Sequence, residues 1–147
     1  MTESYLQIAA NNEELARDIV ERASARGVTV STAESLTAGM IASTIADIPG
    51  ASAVLRGGAV TYCDEIKHRV LGVERETLDR FSAVSHQTAR EMAAGSLDLY
   101  QSDIAVCGNL QIRLRHTHQD LDRKDDLAAV PEVLGARDNG QNHGDDV

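Results

Sequence analysis

The sequence predicts an α/β fold in which helices pack in layers against a sheet. Segments with a helical spacing of apolar residues alternate with short β-branched segments along the chain. Aliphatic residues dominate the apolar positions, because only 3% of the chain is aromatic. A chain of 147 residues is also long enough to bury one core of this kind. We therefore expect a single domain with at most a short appendage.

Elements in the first half of the chain are predicted from periodicity and from residues that end helices. Leu15, Ile19 and Ala23 recur every four positions, which predicts an amphipathic helix that ends before Gly27. The dipeptide Glu34-Ser35 is expected to form the turn between a β-branched strand and a second helix. The predicted elements are a helix at 11–26, a strand at 28–33, a helix at 36–47, and strands at 51–55 and 59–63 that flank a tight turn or a bulge at Arg56-Gly57-Gly58.

Elements in the second half are predicted from capping residues. Asp64 is expected to be the N-cap of a short helix that Gly72 terminates. Ser85 is expected to cap a longer helix. The predicted elements are helices at 64–71, 74–80 and 86–100 and a strand at 103–107.

The composition changes at Gly108, and we divide the chain there into a domain of residues 1–108 and an acidic tail of residues 109–147. The tail carries five basic and eight acidic side chains and few aliphatic residues. We expect it to be largely disordered, because it cannot bury enough apolar surface to offset the entropy of folding. Its histidines are His116, His118 and His143. The first two would point apart on a helix, so no metal site is predicted there.

The charge pattern excludes several classes of partner. The formal net charge is −9, and the basic residues are scattered, which argues against binding to nucleic acid or to an anionic membrane. Nowhere do 18 apolar residues follow one another, so no membrane-spanning segment is predicted. Cys63 and Cys107 lack metal-ligand or redox spacing and are expected to be reduced thiols in a cytoplasmic protein. Small molecules or proteins are the expected partners.

The segment from Glu34 to Gly39 is the strongest candidate for a functional site. It links a predicted strand to a helix, where main-chain N–H groups without helical partners can hold a phosphate. Ser35 would lie there with an exposed hydroxyl, although a serine at a helix start is often only a cap. A nucleophilic serine needs a base. His68 and His86 read as surface residues, which leaves Lys67 as the better candidate.

Lys67 can serve as a base only if it is buried next to apolar groups. Burial disfavours the charged form of a lysine, and a neutral amine can take a proton from a hydroxyl. The alternative is that Lys67 is an ordinary solvated lysine, which is the usual state of this residue type. Spacing in the sequence does not decide between these readings.

Several ordered motifs resemble the C-terminal domain of the CinA family, which includes amidohydrolases of nicotinamide mononucleotide. TAESLTAG at 32–39 is similar to that family's TAES-C-TGG segment, and IPGAS at 48–52 resembles its D-x-PGSS turn. RGGAVTYCDEIK at 56–67 is similar to RG-x-VTYSNEAK. LGV at 71–73 and AVS at 83–85 match further family segments. The resemblance covers about eighty residues, and it implies the α/β/α sandwich of this family.

The resemblance also implies a function and a set of site residues. The expected reaction is hydrolysis of the carboxamide of nicotinamide mononucleotide to nicotinic acid mononucleotide and ammonia. In that scheme Ser35 attacks the amide carbon, Lys67 acts as general base and then as acid, and Tyr62 supports the pair by hydrogen bonding. The substrate-binding residues are expected to be Glu34, Thr37, Ala38 and Gly39. No cofactor or metal is needed, and a homodimer is expected by analogy.

The chain departs from the family pattern at several positions. Leu36 replaces a cysteine, Ala38 a glycine, and Cys63 a serine. After Val106 the family continues with a TGIAGP loop, a KPVG segment, a strand and a helix, and this sequence contains none of them. We therefore expect the sandwich to lack its last strand-loop-helix portion. The alternative function is a non-catalytic CinA-family remnant that binds a nucleotide or a protein partner.

Overall fold

The computed structural model of the chain describes residues 3–109 and 133–136. Over these ranges helices and strands alternate much as predicted, with one further strand at the end. The helices are α1 (Glu3–Arg26), α2 (Met40–Ala46), α3 (Asp64–Leu71), α4 (Arg75–Phe81) and α5 (His86–Tyr100). The strands are β1 (Val30–Glu34), β2 (Leu55–Val60), β3 (Ile104–Gly108) and β4 (Val133–Ala136).

The strands form one sheet in the order β2-β1-β3-β4. Strand β1 pairs in parallel with both β2 and β3. All five residues of β1 are buried, as expected of a strand that is covered on both faces. The carboxyl ends of β1, β2 and β3 therefore meet at one edge, which is where open α/β sheets bind ligands.

Helices cover both faces of the sheet, and the predicted layered α/β fold is confirmed. On one face, residues of α1 and α2 form a core cluster with Val30 and Val106 of the sheet. On the other face, Ala33 and Ala59 of the sheet pack in a second cluster with Met92 of α5. No helix within 3–109 or 133–136 is long and apolar enough to cross a membrane.

The buried stripe of α1 differs from the predicted one. Ala16, Val20 and Ala23 are buried, whereas Leu15 is 62% exposed. Ile19 and Ala23 of the predicted stripe do pack in the core, so the buried face is the predicted one turned toward Ala16 and Val20. Small side chains allow α1 to approach the neighbouring layer closely. A prediction based on large apolar residues does not detect such a face.

Strand β2 is one continuous strand, so the prediction of two separate strands is wrong, whereas the predicted alternative of a bulge at Arg56-Gly57-Gly58 is confirmed. The pairing with β1 shifts between Val30 and Ser31, which places a bulge next to Gly57. Gly57 has a φ of 155°, and a Cβ there would lie 2.5 Å from the ring of Tyr100. A Cβ at Gly58 would collide with Thr32. These glycines serve a bulge and close approach inside a strand, not a turn.

The helix ends agree with the predicted signals at most positions. Ser85 caps α5, since its side chain accepts a hydrogen bond from the Thr88 amide. Gly72 ends α3 with a φ of 68°. The predicted cap of α3 is wrong, because Cys63 is the N-cap and Asp64 is the first helical residue. Asp64 there faces the positive end of the helix dipole.

The predicted acidic tail, 109–147, is described only at Asn109 and at 133–136. Residues 133–136 form β4, which pairs antiparallel with β3 on the side away from β1. The sequence analysis does not predict this strand. The expected disorder of the rest of the tail and its three histidines lie outside the described residues.

Candidate functional site

Ser35 lies directly after the central strand, at the carboxyl edge of the sheet. Its main-chain N–H donates to Gly108 O at 3.0 Å, and the preceding carbonyl of Glu34 accepts from Thr61 N at 2.7 Å. The segment is thus fixed on both sides by the neighbouring strands. Side chains alternate between the two faces of a sheet, so Ser35 lies on the same face as Ser31 and Ala33. That face packs against the layer of α3, α4 and α5.

Glu34 is a buried carboxylate that closes the N-terminus of α2. It is fully buried, at 0% exposure, although it belongs to a residue type that is rarely buried. Its carboxylate accepts hydrogen bonds from the main-chain N–H groups of Gly39 at 3.0 Å, Ile41 at 3.0 Å and Ala42 at 2.9 Å. The hydroxyl of Thr32 donates a fourth bond at 3.0 Å. A single side chain therefore satisfies the donors that a helix start leaves open.

The hydrogen bonds of Glu34 change which main-chain amides are free to bind a ligand. The sequence analysis expects α2 to begin at about Leu36, with open amides along the turn. The helix begins at Met40 instead, and Glu34 occupies the donors at its start. Within the described residues, the main-chain N–H groups of Leu36 and Thr37 donate no hydrogen bond. These two consecutive amides follow Ser35 directly and are the donors left for an anionic group.

Lys67 lies on α3 and is almost completely buried, with 1% of its surface exposed. Its Nζ donates to Thr61 O at 2.9 Å and to Tyr62 O at 3.4 Å, both at the end of β2. Asp64 Oδ1 lies 3.9 Å from the same nitrogen, which is an ion pair but too long for a hydrogen bond. The reading of Lys67 as a solvated surface lysine is therefore wrong.

Thr61 links Lys67 to the residue before Ser35. Its carbonyl accepts from Lys67 Nζ, and its amide donates to the Glu34 carbonyl. Lys67 is thus held at the same sheet edge as Ser35. Within the described residues no hydrogen bond joins Ser35 Oγ to Lys67 Nζ. The structure brings the two residues to one edge without a direct bond between them.

The remaining predicted site residues differ in their surroundings. Tyr62 is 72% exposed, and its contact with Lys67 is through the main-chain oxygen. Ala38 and Gly39 form the turn before α2 with positive φ angles of 50° and 97°. Thr37 has a buried hydroxyl that makes no hydrogen bond within the described residues.

Cys107, on β3, lies in the field of both Lys67 and Glu34. Burial raises the pKa of its thiol from 9.0 to about 12, the charge of Lys67 opposes this shift, and that of Glu34 adds to it. A thiol with such a pKa stays protonated at neutral pH and is a poor nucleophile. Cys107 therefore belongs to the wall of the site and not to its chemistry.

Two other features bear on what the site can hold. Within residues 3–109 and 133–136, no group of three or more His, Cys, Asp or Glu is placed to hold a metal ion. A groove of 610 Å³ lies between α1 and α2, and its lining includes Ile8, Met40 and Thr44 but none of the predicted site residues. This groove is separate from the Ser35 edge.

The sequence analysis places Glu34 among the substrate-binding residues and does not predict its hydrogen bonds to the start of α2, and it does not single out Asn109. The signal for Glu34 is a lone carboxylate at the end of an otherwise uncharged, buried strand. Asn109 is 2% exposed, and its Nδ2 donates to Ala83 O at 2.8 Å. It follows Gly108 directly, where the sequence shows only a change of composition.

Comparisons with known proteins identify the family of the chain. The CinA C-terminal domain family matches residues 12–108. A CinA-like protein of Leptospira borgpetersenii serovar Hardjo-bovis (strain L550) is 47% identical over 94 residues, which are 64% of this chain and 22% of that protein. The match thus spans about a fifth of the length of this relative.

Solved structures give the same result. The chain is similar to the competence/damage inducible protein CihA from Agrobacterium tumefaciens, with a TM-score of 0.64 and 48% identity. That match covers 65% of this chain and 58% of the other. The competence damage-inducible protein A (ComA) from Klebsiella pneumoniae gives a TM-score of 0.64 with 38% identity, over 65% of this chain and 60% of that one. The chain belongs to the CinA C-terminal domain family.

Proposed function

We propose that the protein hydrolyses the carboxamide of nicotinamide mononucleotide, with Ser35 as nucleophile and Lys67 as general base. The observation that carries this proposal is the burial of Lys67 at the sheet edge that also holds Ser35. A lysine with 1% exposure is unusual, because most lysines are solvated, and buried lysines serve as catalytic bases in enzymes. The family resemblance supplies the substrate.

The contacts of Lys67 leave one position on its nitrogen open. Two carbonyl oxygens, of Thr61 and Tyr62, accept two of its N–H groups. An amine nitrogen has three such positions, so one remains for a lone pair or a proton. In the neutral form this lone pair takes the proton of the Ser35 hydroxyl as its oxygen attacks the amide carbon.

The remaining steps follow from the balance of protons. The tetrahedral intermediate carries an oxyanion, for which the open amides of Leu36 and Thr37 are suitable donors. The carbon–nitrogen bond then breaks, and Lys67 returns its proton so that ammonia leaves. Water hydrolyses the ester on Ser35 with Lys67 again acting as base, which releases nicotinic acid mononucleotide and restores the enzyme.

Other site residues position this machinery. Glu34 fixes the turn between β1 and α2 through its three amide contacts. Tyr62 and Leu36 are exposed apolar side chains, at 72% and 44%, and offer surface to the pyridine ring. We assign no hydrogen bond to the Tyr62 hydroxyl. We also propose a cytoplasmic location, supported by Cys63 and Cys107 being free thiols.

A second candidate is a non-catalytic module that binds a nucleotide. The absence of a Ser35 to Lys67 hydrogen bond within the described residues favours it, as does the end of the family match at residue 108. The amidase converts nicotinamide mononucleotide to product, whereas the binding module does not.

Ammonia release from nicotinamide mononucleotide separates the two candidates. We expect the purified protein to release ammonia and the Ser35→Ala variant to be slower by at least about a thousandfold. Ser43→Ala, an exposed serine on α2, is the matched control and should keep the full rate. Equal rates from the protein and its Ser35→Ala variant, or no ammonia from either, would leave only the binding module.

A further inference from the structure

Two buried polar atoms at the carboxyl edge of the sheet lack a hydrogen bond within the described residues. They are Thr37 Oγ1 and Asn109 Oδ1. A buried polar atom without a hydrogen bond is costly. Where the protein itself supplies no partner for such an atom, water or a ligand often does. Both atoms flank Gly108, which binds the Ser35 amide.

The orientation of the Asn109 side chain is fixed by its nitrogen. Asn109 is 2% exposed, and its Nδ2 donates to the Ala83 carbonyl at 2.8 Å. A carbonyl can only accept, so the nitrogen of the carboxamide must face Ala83. The oxygen therefore faces away from Ala83, and it accepts no hydrogen bond within the described residues.

Asn109 also lies on the side of the sheet that carries Lys67. Side chains alternate along a strand, so Asn109 continues the row of Cys107. Cys107 packs against the core cluster between the sheet and α3 to α5. The residue before Asn109 accepts the Ser35 amide at 3.0 Å. The Asn109 side chain thus follows the carbonyl that holds the predicted nucleophile and lies on the side of the sheet that carries the predicted base.

We propose that Asn109 is a specificity-determining residue, whose Oδ1 accepts an N–H of the substrate carboxamide. This inference rests on the proposed amidase function. A carboxamide carries two N–H donors, whereas the carboxylate of the product carries none and bears a negative charge. Asn109 Oδ1 therefore attracts the substrate and repels the product, which favours product release.

Thr37 cannot make this distinction. Its hydroxyl lies beside Gly108 on the α2 side of the sheet, close to Ile41. A hydroxyl can donate as well as accept, so it can pair with an amide and with a carboxylate alike. The carboxamide oxygen of Asn109 can only accept, so in this proposal it is the atom that distinguishes the amide from the carboxylate.

Calorimetric binding to the Ser35→Ala protein tests the inference without turnover. We expect nicotinamide mononucleotide to bind about tenfold more tightly than nicotinic acid mononucleotide, which corresponds to one hydrogen bond gained and one repulsion avoided. Adding Asn109→Leu should reduce this ratio to within about twofold. Asn12→Leu on the exposed surface of α1 makes the same chemical change and should leave the ratio intact.

The outcomes separate this inference from the proposed function. If Ser35→Ala binds both nucleotides equally while Asn109 is intact, the inference is overturned and the amidase proposal stands. This measurement does not depend on how well the Asn109→Leu variant folds. A preference for the amide that survives Asn109→Leu also overturns it. If neither nucleotide binds, both the proposed function and the inference fail.

Discussion

Replacing Glu34 with Gln should destabilise the fold far more than an isosteric change normally does. Each carboxylate oxygen of Glu34 accepts two hydrogen bonds, one pair from Thr32 and Ala42 and the other from Gly39 and Ile41. A glutamine has one oxygen and one NH2 group. In one orientation the NH2 faces the amides of Gly39 and Ile41, and in the other it faces the Ala42 amide and the Thr32 hydroxyl, which can turn and accept. At least one charge-assisted bond is therefore lost, and the amide that made it stays buried without an acceptor.

The magnitude follows from the lost bond and from the amide left without an acceptor. A hydrogen bond to a charged group contributes about 1.5 kcal/mol or more, and a buried unpaired donor costs about 1 to 3 kcal/mol, so Glu34→Gln should cost about 3 kcal/mol. The loss of negative charge at the start of α2 adds up to about 1 kcal/mol. Urea unfolding should show this as a lower midpoint with an unchanged m-value.

Glu91→Gln is the matched control. Glu91 also accepts a main-chain amide, from Glu74 at 2.8 Å, and a hydroxyl, from Thr77 at 2.6 Å, but it is only half-buried. One oxygen of a glutamine can keep one of these bonds, and water can replace the other. We expect a loss below about 1 kcal/mol. If Glu34→Gln is as stable as this control, the carboxylate does not hold α2 as described.

Three further changes test other parts of the structure. Gly95→Ala should cost about 3 kcal/mol in urea unfolding, because its Cβ would collide with the Leu71 carbonyl where α3 and α5 meet; a cost below about 1 kcal/mol would contradict that packing. Ala38→Gly should raise stability by up to about 1 kcal/mol, since a φ of 50° strains alanine; a loss would contradict this. A thiol reagent at pH 8 should modify exposed Cys63 and spare Cys107, whose pKa is raised to about 12. Between pH 9 and 12 the unfolded chain loses the Cys107 proton more readily than the folded chain. The free energy of unfolding should therefore fall as the pH rises through this range. Cys107→Ala should lessen that fall.

Local signals account for the parts of the fold that the sequence predicts. Residues 64–71 and 86–100 are helical with the predicted bounds, because Gly72 and Ser85 are strong end signals. The layered arrangement also follows from the alternation of helical and β-branched segments. These features depend on residues close together in the chain.

Contacts between distant segments explain what the sequence does not predict. The sequence leaves a tight turn and a bulge open at Gly57 and Gly58. Tyr100 and Thr32, which leave no room for a side chain at these glycines, are distant in the sequence. The late start of α2 depends on the Glu34 carboxylate folding back onto its amides. Pairing of β4 with β3 is likewise a long-range contact.

The candidate site also combines residues that local motifs predict with contacts between distant segments that they do not predict. Ser35 and Lys67 are predicted from motif resemblance, and their shared sheet edge depends on Thr61, which the sequence analysis does not single out. Asn109 cannot be predicted from local pattern, because its hydrogen bond to Ala83 joins residues that are distant in the sequence.

Capture of an acyl-enzyme tests the central claim most directly. The protein is mixed with nicotinamide mononucleotide, quenched in acid and digested, and the peptides are weighed by mass spectrometry. The account predicts the nicotinoyl nucleotide as an ester on the peptide that carries Ser35, with ammonia released in step and no adduct on Ser35→Ala. Turnover with the adduct on another residue such as Cys63, or Ser35→Ala retaining the full rate of ammonia release, would contradict it.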